Sequence, residues 1–275
     1  MTNKQLHVFE ELKAILERDI SKISFDDNSY FNEDFFKKSI ENNFAGWYNK
    51  TAPQHQVDLI LRTSKLSPPA SILDIACGHG KHSELLASKG FKVIGIDISK
   101  TLIDFLAERN HANTNLNFYC CSFSNLEYEN EFDLVIVLGN SLSLVPEPEL
   151  KPTLENIHKS LKKGGKLFIE LDNRLSFIRN EAGSRTWNIY NARWLVISEH
   201  YYDDDQKLEK TRDIGFDLDS CSVDEFVITK RLYDPDEFRE ILIESRYNIS
   251  INYGDWDERA LDNEAPYQII LASKI

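Results

Sequence analysis

The stretch from Ile72 to Ser99, ILDIACGHGKHSELLASKGFKVIGIDIS, limits the possible folds of this chain more than any other segment. It reads as an apolar strand over 71–75, a glycine-rich turn, a helix over 80–89 closed by Gly90, and a second apolar strand over 92–97 that ends in Asp97. Parallel neighbours in a sheet need a crossover between them, and strands covered on both faces read as continuous apolar runs. The rhythm continues with a helix over 100–109, strands over 116–120 and 133–138, a helix over 152–162 closed by Gly164-Gly165, and a strand over 166–171. The alternation predicts an α/β fold, a doubly wound and mostly parallel sheet with helices on both faces.

Outside this run the pattern changes twice. Leu6, Phe9, Leu12, Leu16 and Ile20 recur at helical spacing, which predicts a helix over 5–20, with a second over 33–44. A third helix starts at Thr51, where Thr51-Ala52-Pro53-Gln54 has the form of a capping box, and Ser67-Pro68-Pro69 stops it. Residues 172–233 interleave Trp187, Ile189, Tyr190, Trp194, Val196 and Ile197 with polar positions, and Asp203-Asp204-Asp205-Gln206 has turn composition. This reads as an antiparallel insertion of two to four strands. A helix over 235–246 opens with Asp234 as its cap, Pro235 at the first position and Glu237 completing a capping box, and strands over 247–253 and 267–273 finish the chain. The expected organisation is an N-terminal helical lid segment (1–66), a ligand-binding core (67–171), a β insertion acting as substrate lid (172–233) and the remainder of the core (234–275).

A strand that runs into glycines and then a helix presents free N–H groups to a ligand. Gly78 and Gly80 admit close approach, and Asp97, at the tip of the next strand, is placed to accept both hydroxyls of a ribose. Two nucleoside cofactors compete for such a turn. The dinucleotide fingerprint asks for glycine or alanine at position 83, where Ser83 stands, and has no use for an acid in the first strand. Here Asp74 precedes the glycines in a D-x-A-x-G-x-G pattern, and a carboxylate at that point faces a cationic ammonium group. That favours S-adenosylmethionine over NAD. His79 and His82 form an H-x-x-H pair with no third ligand at nearby spacing, so no metal is expected.

The segments ILDIACGHG, VIGIDIS and LKKGGKLFI resemble the motifs of class I S-adenosylmethionine-dependent methyltransferases, at the expected separations. LGNSLSLV is similar to the fourth-strand motif of the glycine N-methyltransferase group, and YGDWDERALDNEAPYQIILASK to the ending of bacterial small-molecule methyltransferases. The resemblance implies a Rossmann-like sheet with one antiparallel strand. It implies that Asp74, Ala76, Cys77, Gly78 and Gly80 wrap the methionine part, with Asp97 on the ribose and Ile98 against the adenine. Ser122 and Phe123 would lie at the adenine edge, Ser122 standing where relatives often carry aspartate. Leu138 and Gly139 would offer backbone groups to the methionine amino group, and Asn140 and Ser141 would face the methyl group and the substrate. Tyr48 would reach over the cofactor carboxylate and Arg174 would meet a substrate carboxylate; His82 is the candidate base. Trp187 and Tyr190 are the candidates for lining the substrate pocket.

Acidic residues outnumber basic ones by 45 to 32, a formal charge of −13, and no Lys/Arg cluster interrupts the excess, which excludes a phosphate-binding surface for nucleic acid. No apolar run approaches the roughly 18 residues of a membrane span, so a cytoplasmic protein without membrane partners is expected. The four cysteines include an adjacent pair and no C-x-x-C, which fits neither a disulfide framework nor a thiolate zinc site. The reading is methyl transfer from S-adenosylmethionine to an N or O atom of a small molecule, leaving S-adenosylhomocysteine. The alternative is a non-catalytic binder of the same cofactor that regulates a partner. Oligomeric state is left open.

Overall fold

The computed structural model describes residues 3–23, 32–41, 53–190 and 192–275. Its main sheet has seven strands: β1 (Ser71–Ile75), β2 (Lys92–Asp97), β3 (Leu116–Cys120), β4 (Phe132–Val137), β5 (Leu161–Asp172), β10 (Tyr247–Tyr253) and β11 (Tyr267–Lys274). They lie in the order β10-β11-β5-β4-β1-β2-β3, and the order reverses at β1, which pairs in parallel with both β2 and β4. The single strand of opposite direction is β11, antiparallel to β5 and to β10.

Alternation along these strands builds a core on each face. Leu73, Val135, Val137, Leu167 and Ile169 pack on one side with Leu154 and Ile157 of α6 (Glu147–Ser160) and Phe238 and Leu242 of α8 (Pro235–Glu244). Ile72, Leu134, Ile136 and Phe168 pack on the other with residues of α3 (Pro53–Ser64), α4 (Lys81–Ser88) and α5 (Lys100–Arg109). Helix α6 begins well before the expected Pro152. That proline lies inside it, and Glu147 and Glu149 occupy the first turn, where carboxylates suit the helix dipole. Helix α8 carries the expected capping box between Asp234 and Glu237.

The 172–233 segment opens with a short helix that its β-like composition did not announce, α7 (Arg174–Asn180), capped by the Asn173 side chain accepting from Leu175 N. A four-stranded antiparallel sheet follows: β6 (Arg185–Tyr190), β7 (Trp194–Asp203), β8 (Leu208–Asp217) and β9 (Ser222–Arg231), paired in chain order. The turn after Asp203 joins β7 to β8, with Asp203 Oδ1 accepting from Gln206 N at 3.1 Å. The first helix is shorter than expected, α1 (Asn3–Leu16), followed by a single 3₁₀ turn over Ile20–Lys22.

Helix α2 (Glu33–Glu41) ties the two sheets together. Its Glu33 carboxylate accepts from Lys100 N, Thr101 N and Ser99 Oγ at the start of α5, and its Phe35 ring packs edge-on against Phe226 of β9 at 5.1 Å. Residues 42–44 of the expected second helix and the Thr51-Ala52 start of the third lie outside the described residues.

Candidate active site

The carboxyl ends of β1, β2, β4 and β5 meet at one edge of the main sheet, where open α/β sheets bind ligands. Ala76, Gly78 and Gly80 all take positive φ, which lets the chain turn sharply from β1 into α4. At Gly80 a Cβ would also stand 2.8 Å from Leu106; Gly78 faces open space, with nothing within 4 Å of where a Cβ would be. Gly139, after β4, has the same open setting. The Cys77 thiol is buried, its pKa pushed well up by desolvation, and its backbone N–H holds Ile96 O at 2.9 Å.

Two carboxylates frame the turn as expected. Asp74 is buried and accepts from Ser83 Oγ at 2.5 Å; burial, and next the nearby Asp97, push its pKa up to about 7, with the Ser83 bond opposing. Asp97 accepts one backbone N–H on each oxygen, Gly78 N and Ser99 N, both at 3.0 Å, and burial raises its pKa too. Each oxygen keeps a further lone pair, which is what a pair of ribose hydroxyls needs. Ser99 caps α5 through Leu102 N. Ile98, directly after Asp97, is 65% exposed, an apolar surface open to a planar ring. Ser122 caps a 3₁₀ turn over Phe123–Asn125, and both it and Phe123 are half-buried beside the end of β3.

After β4 the polar groups are interlocked. Gly139 N donates to Glu170 Oε2 at 2.7 Å, and Ser141 Oγ to Leu138 O at 2.7 Å. Asn140, at φ 59°, donates through Nδ2 to Asp172 and accepts on Oδ1 from Ser143 Oγ and Asp172 N. Glu170 also accepts from Trp256 Nε1 at 3.1 Å, and burial pushes its pKa up to about 7. Neither Glu170 nor this Trp256 bond was foreseen. The signal lay in LFIELD, a carboxylate inside an apolar strand.

Above this edge lies a cavity of about 870 Å³ between the main sheet and the four-stranded sheet. Its floor includes His82, Gly139, Asn140, Glu170 and Asp172, and its roof is the inward face of β6–β9. The roof follows strand periodicity: Glu209, Thr211, Asp213 and Gly215 of β8 face inward, as do Trp194, Val196, Ser198 and His200 of β7. Lys230 of β9 joins roof to floor, its Nζ 2.9 Å from Glu209 and 3.2 Å from Asp172. Burial disfavours its charge, but the two carboxylates outweigh that and raise its pKa.

Several sequence candidates find other places. Tyr190 lines the cavity, whereas Trp187, of opposite parity on β6, points outward and is 68% exposed. Arg174 does not line the cavity: its guanidinium is shared among Tyr202, Asp204 and Asp234, locking α7 to the β7–β8 turn and the start of α8. His82 reaches the cavity, but its Nε2 is 2.7 Å from Gln56 Oε1 and burial pushes its pKa down to about 4, so it is a weak base. His79 lies apart, against Ser39 Oγ. Trp256, in the loop that follows β10, stacks on Phe168. Tyr48 lies outside the described residues. Among the described residues no group of three His, Cys, Asp or Glu is placed to hold a metal ion, and no helix is long and apolar enough to cross a membrane.

A mostly parallel seven-stranded sheet with one reversed strand, a glycine turn after β1 and carboxylates at the tips of β1 and β2 is the class I S-adenosylmethionine-dependent methyltransferase fold, and this chain carries it. Residues 72–165 match the family described as a methyltransferase domain. Over 106 residues, 38% of this chain and 44% of the other, it is 36% identical to the ubiquinone biosynthesis O-methyltransferase of Coxiella burnetii. An S-adenosylmethionine-dependent methyltransferase from Clostridium acetobutylicum superposes with a TM-score of 0.75 at 18% identity, covering 86% of this chain and 99% of that one. The sugar N-methyltransferase KedS8 from a Streptoalloteichus species superposes with a TM-score of 0.66 at 18% identity, covering 85% and 92%. The chain spans about half the length of the relatives it matches by sequence.

Proposed function

We propose that this protein is an enzyme that moves a methyl group from S-adenosylmethionine to a nitrogen or oxygen atom of a small molecule held between its two sheets. One observation carries the reading: Gly139, Asn140 and Glu170 belong both to the edge beside the glycine turn and to the cavity lining. A cofactor on the turn and an acceptor in the cavity would therefore share a boundary.

The residues fit the cofactor part by part. Asp74, Ala76, Cys77, Gly78 and Gly80 would surround its amino-acid end, the open sides of Gly78 and Gly139 leaving room for close approach. Asp97 would take the ribose, and Ile98, Ser122 and Phe123 the adenine. When bound, the cofactor supplies a methyl group activated by its sulfonium. The chain's own part is placement. Asn140 and Ser141, fixed by their bonds to Asp172 and Leu138, would hold the acceptor side of the boundary still. The insertion and the N-terminal helices would serve as the lid that keeps water out. Holding two reactants in line is worth up to about 7–11 kcal/mol. The roles first given to Arg174 and Trp187 pass to residues that do line the cavity.

The named relatives include an O-methyltransferase and a sugar N-methyltransferase, both consistent with a small acceptor. The acidic surface argues against nucleic acid. The test has two stages. Isothermal titration with S-adenosylmethionine is expected to show one site. Incubation with pooled small metabolites is then expected to release S-adenosylhomocysteine, detected by mass spectrometry. Absence of binding removes the proposal; binding with no release under any acceptor supports the regulatory alternative instead.

A further inference from the structure

The charges of the cavity wall do not balance. Among the described residues, five acidic side chains line it, Glu170, Asp172, Glu181, Glu209 and Asp213, against Lys230 and no arginine; with Glu170 discounted because burial favours its neutral form, four carboxylates still face one lysine. That lysine is already neutralised. It lies 2.9 Å from Glu209 and 3.2 Å from Asp172, so an anionic ligand would have to displace a carboxylate to reach it. Replacing a buried ion-pair partner in this way is unfavourable.

The roof also has a gradient of polarity. Where β8 and β9 pair near the floor, Glu209 and Lys230 stand opposite each other, with Thr211 donating to Glu209 at 2.8 Å and contacting His200. Further along, Gly215 lies opposite Val196, the Trp194 ring lies 3.6 Å from where its Cβ would be, and Phe226 packs against Phe35. Asp213 sits between these zones on the inward face of β8. A ligand that fits would be positively charged near Asp213 and Glu209 and apolar toward Trp194 and Phe226. Aromatic rings at this end add a surface that cations also favour.

We infer that the methyl acceptor is a small amphipathic amine that enters as its cation with its apolar body on Trp194 and Phe226, that the ammonium gives one proton to the carboxylate it pairs with so that the freed nitrogen lone pair takes the methyl as the sulfonium S–C bond breaks, and that molecules bearing a carboxylate or phosphate are excluded. The inference rests on the methyl-transfer reading above and narrows the acceptor atom to nitrogen.

Three probes sharing one skeleton test it by binding alone: 3-phenylpropylamine, 3-phenylpropanol and 3-phenylpropionate, each titrated calorimetrically into protein saturated with S-adenosylhomocysteine. The amine is expected to bind at least about tenfold more tightly than the other two, and Asp213→Asn or Glu209→Gln to weaken it about 10- to 100-fold while S-adenosylhomocysteine affinity holds, the loss expected for one charge-assisted contact. Retained S-adenosylhomocysteine binding shows that each variant is folded. No binding of the amine, equal or tighter binding of the alcohol or carboxylate, or indifference of the amine to both substitutions overturns the inference. Failure of S-adenosylhomocysteine itself to bind would overturn the methyl-transfer reading instead, so the two failures are distinct.

Discussion

The two halves of the site are built by different means. The half around the glycine turn comes mostly from two short segments, 74–83 and 97–98, and much of its chemistry is backbone: positive-φ glycines and amide N–H groups that fix Asp97, with Asp74 held by the Ser83 hydroxyl. The half facing the small sheet comes from side chains on four strands and α2, brought together by antiparallel register. The first tolerates little variation because it depends on chain geometry. The second depends on which residues occupy inward positions, so its chemistry changes without changing the fold.

The sharpest way to separate the halves is to remove one carboxylate from each. Asp97→Ala is expected to lower cofactor affinity by about 100-fold or more, since two charge-assisted bonds to a ribose are lost together. Glu209→Gln should leave that affinity within about twofold; calorimetry of both variants decides, and equal losses would erase the distinction. The join between halves is the next target. Lys230→Met leaves Glu209 and Asp172 uncompensated and is expected to cost about 3–5 kcal/mol in denaturant unfolding. A smaller loss would mean that Glu209 and Asp172 do not depend on Lys230 for their charge balance.

A pH effect should mark the cofactor half. Asp74 holds its proton to about pH 7 in the folded protein but only to its ordinary 3.8 when unfolded. Between those values the folded state binds the extra proton, so stability falls as pH rises, by about 1.4 kcal/mol per unit from this group. Urea unfolding of wild type and Asp74→Asn from pH 4 to 7 should show a slope shallower in the variant by about that amount, the remainder belonging to Glu170 and Asp97, whose pKa values burial also raises. A cationic cofactor would oppose the raised pKa, so binding near pH 6 should release protons into the buffer.

The two glycines should also behave differently. Gly80→Ala is expected to destabilise by about 1–3 kcal/mol, through its positive φ and the contact with Leu106. Gly78→Ala has the same φ problem but open space, so its larger effect should be on cofactor affinity, which thermal melts and calorimetry together resolve. The smallest effect belongs to Trp187→Ser on the outward face of β6. Stability should stay within about 0.5 kcal/mol and acceptor KM should not move.

These contrasts also explain what was readable in the sequence. The glycine turn and the acid tips were legible because each depends on neighbours a few residues away. The parity of β6 was not: shifting one residue swaps Trp187 with Thr186 or Asn188, and aromatic composition does not say which faces the cavity. Arg174 was placed by likeness to relatives, but Asp204 and Asp234, distant in sequence, claim its guanidinium. Helix α6 begins at Glu147, where Pro148 suits the first turn, and carries Pro152 inside it, a position that proline's usual place at a helix start does not suggest. Glu170 left a trace as an acid following the apolar run over 167–169, yet its partner Trp256 comes from a loop 86 residues away.

The alternating roof has an evolutionary consequence. On β7 and β8, residues facing outward maintain the sheet's contacts with α1 and the 3₁₀ turn, such as Arg212 donating to the Ile15 and Arg18 carbonyls, while their neighbours in sequence face the cavity. Selection for a new acceptor can therefore act on every second position and leave the scaffold's own contacts in place. Descendants of this chain could diverge in what they modify while inheriting the donor machinery unaltered, with Asp172 and Lys230 as the shared hinge on which such divergence would turn.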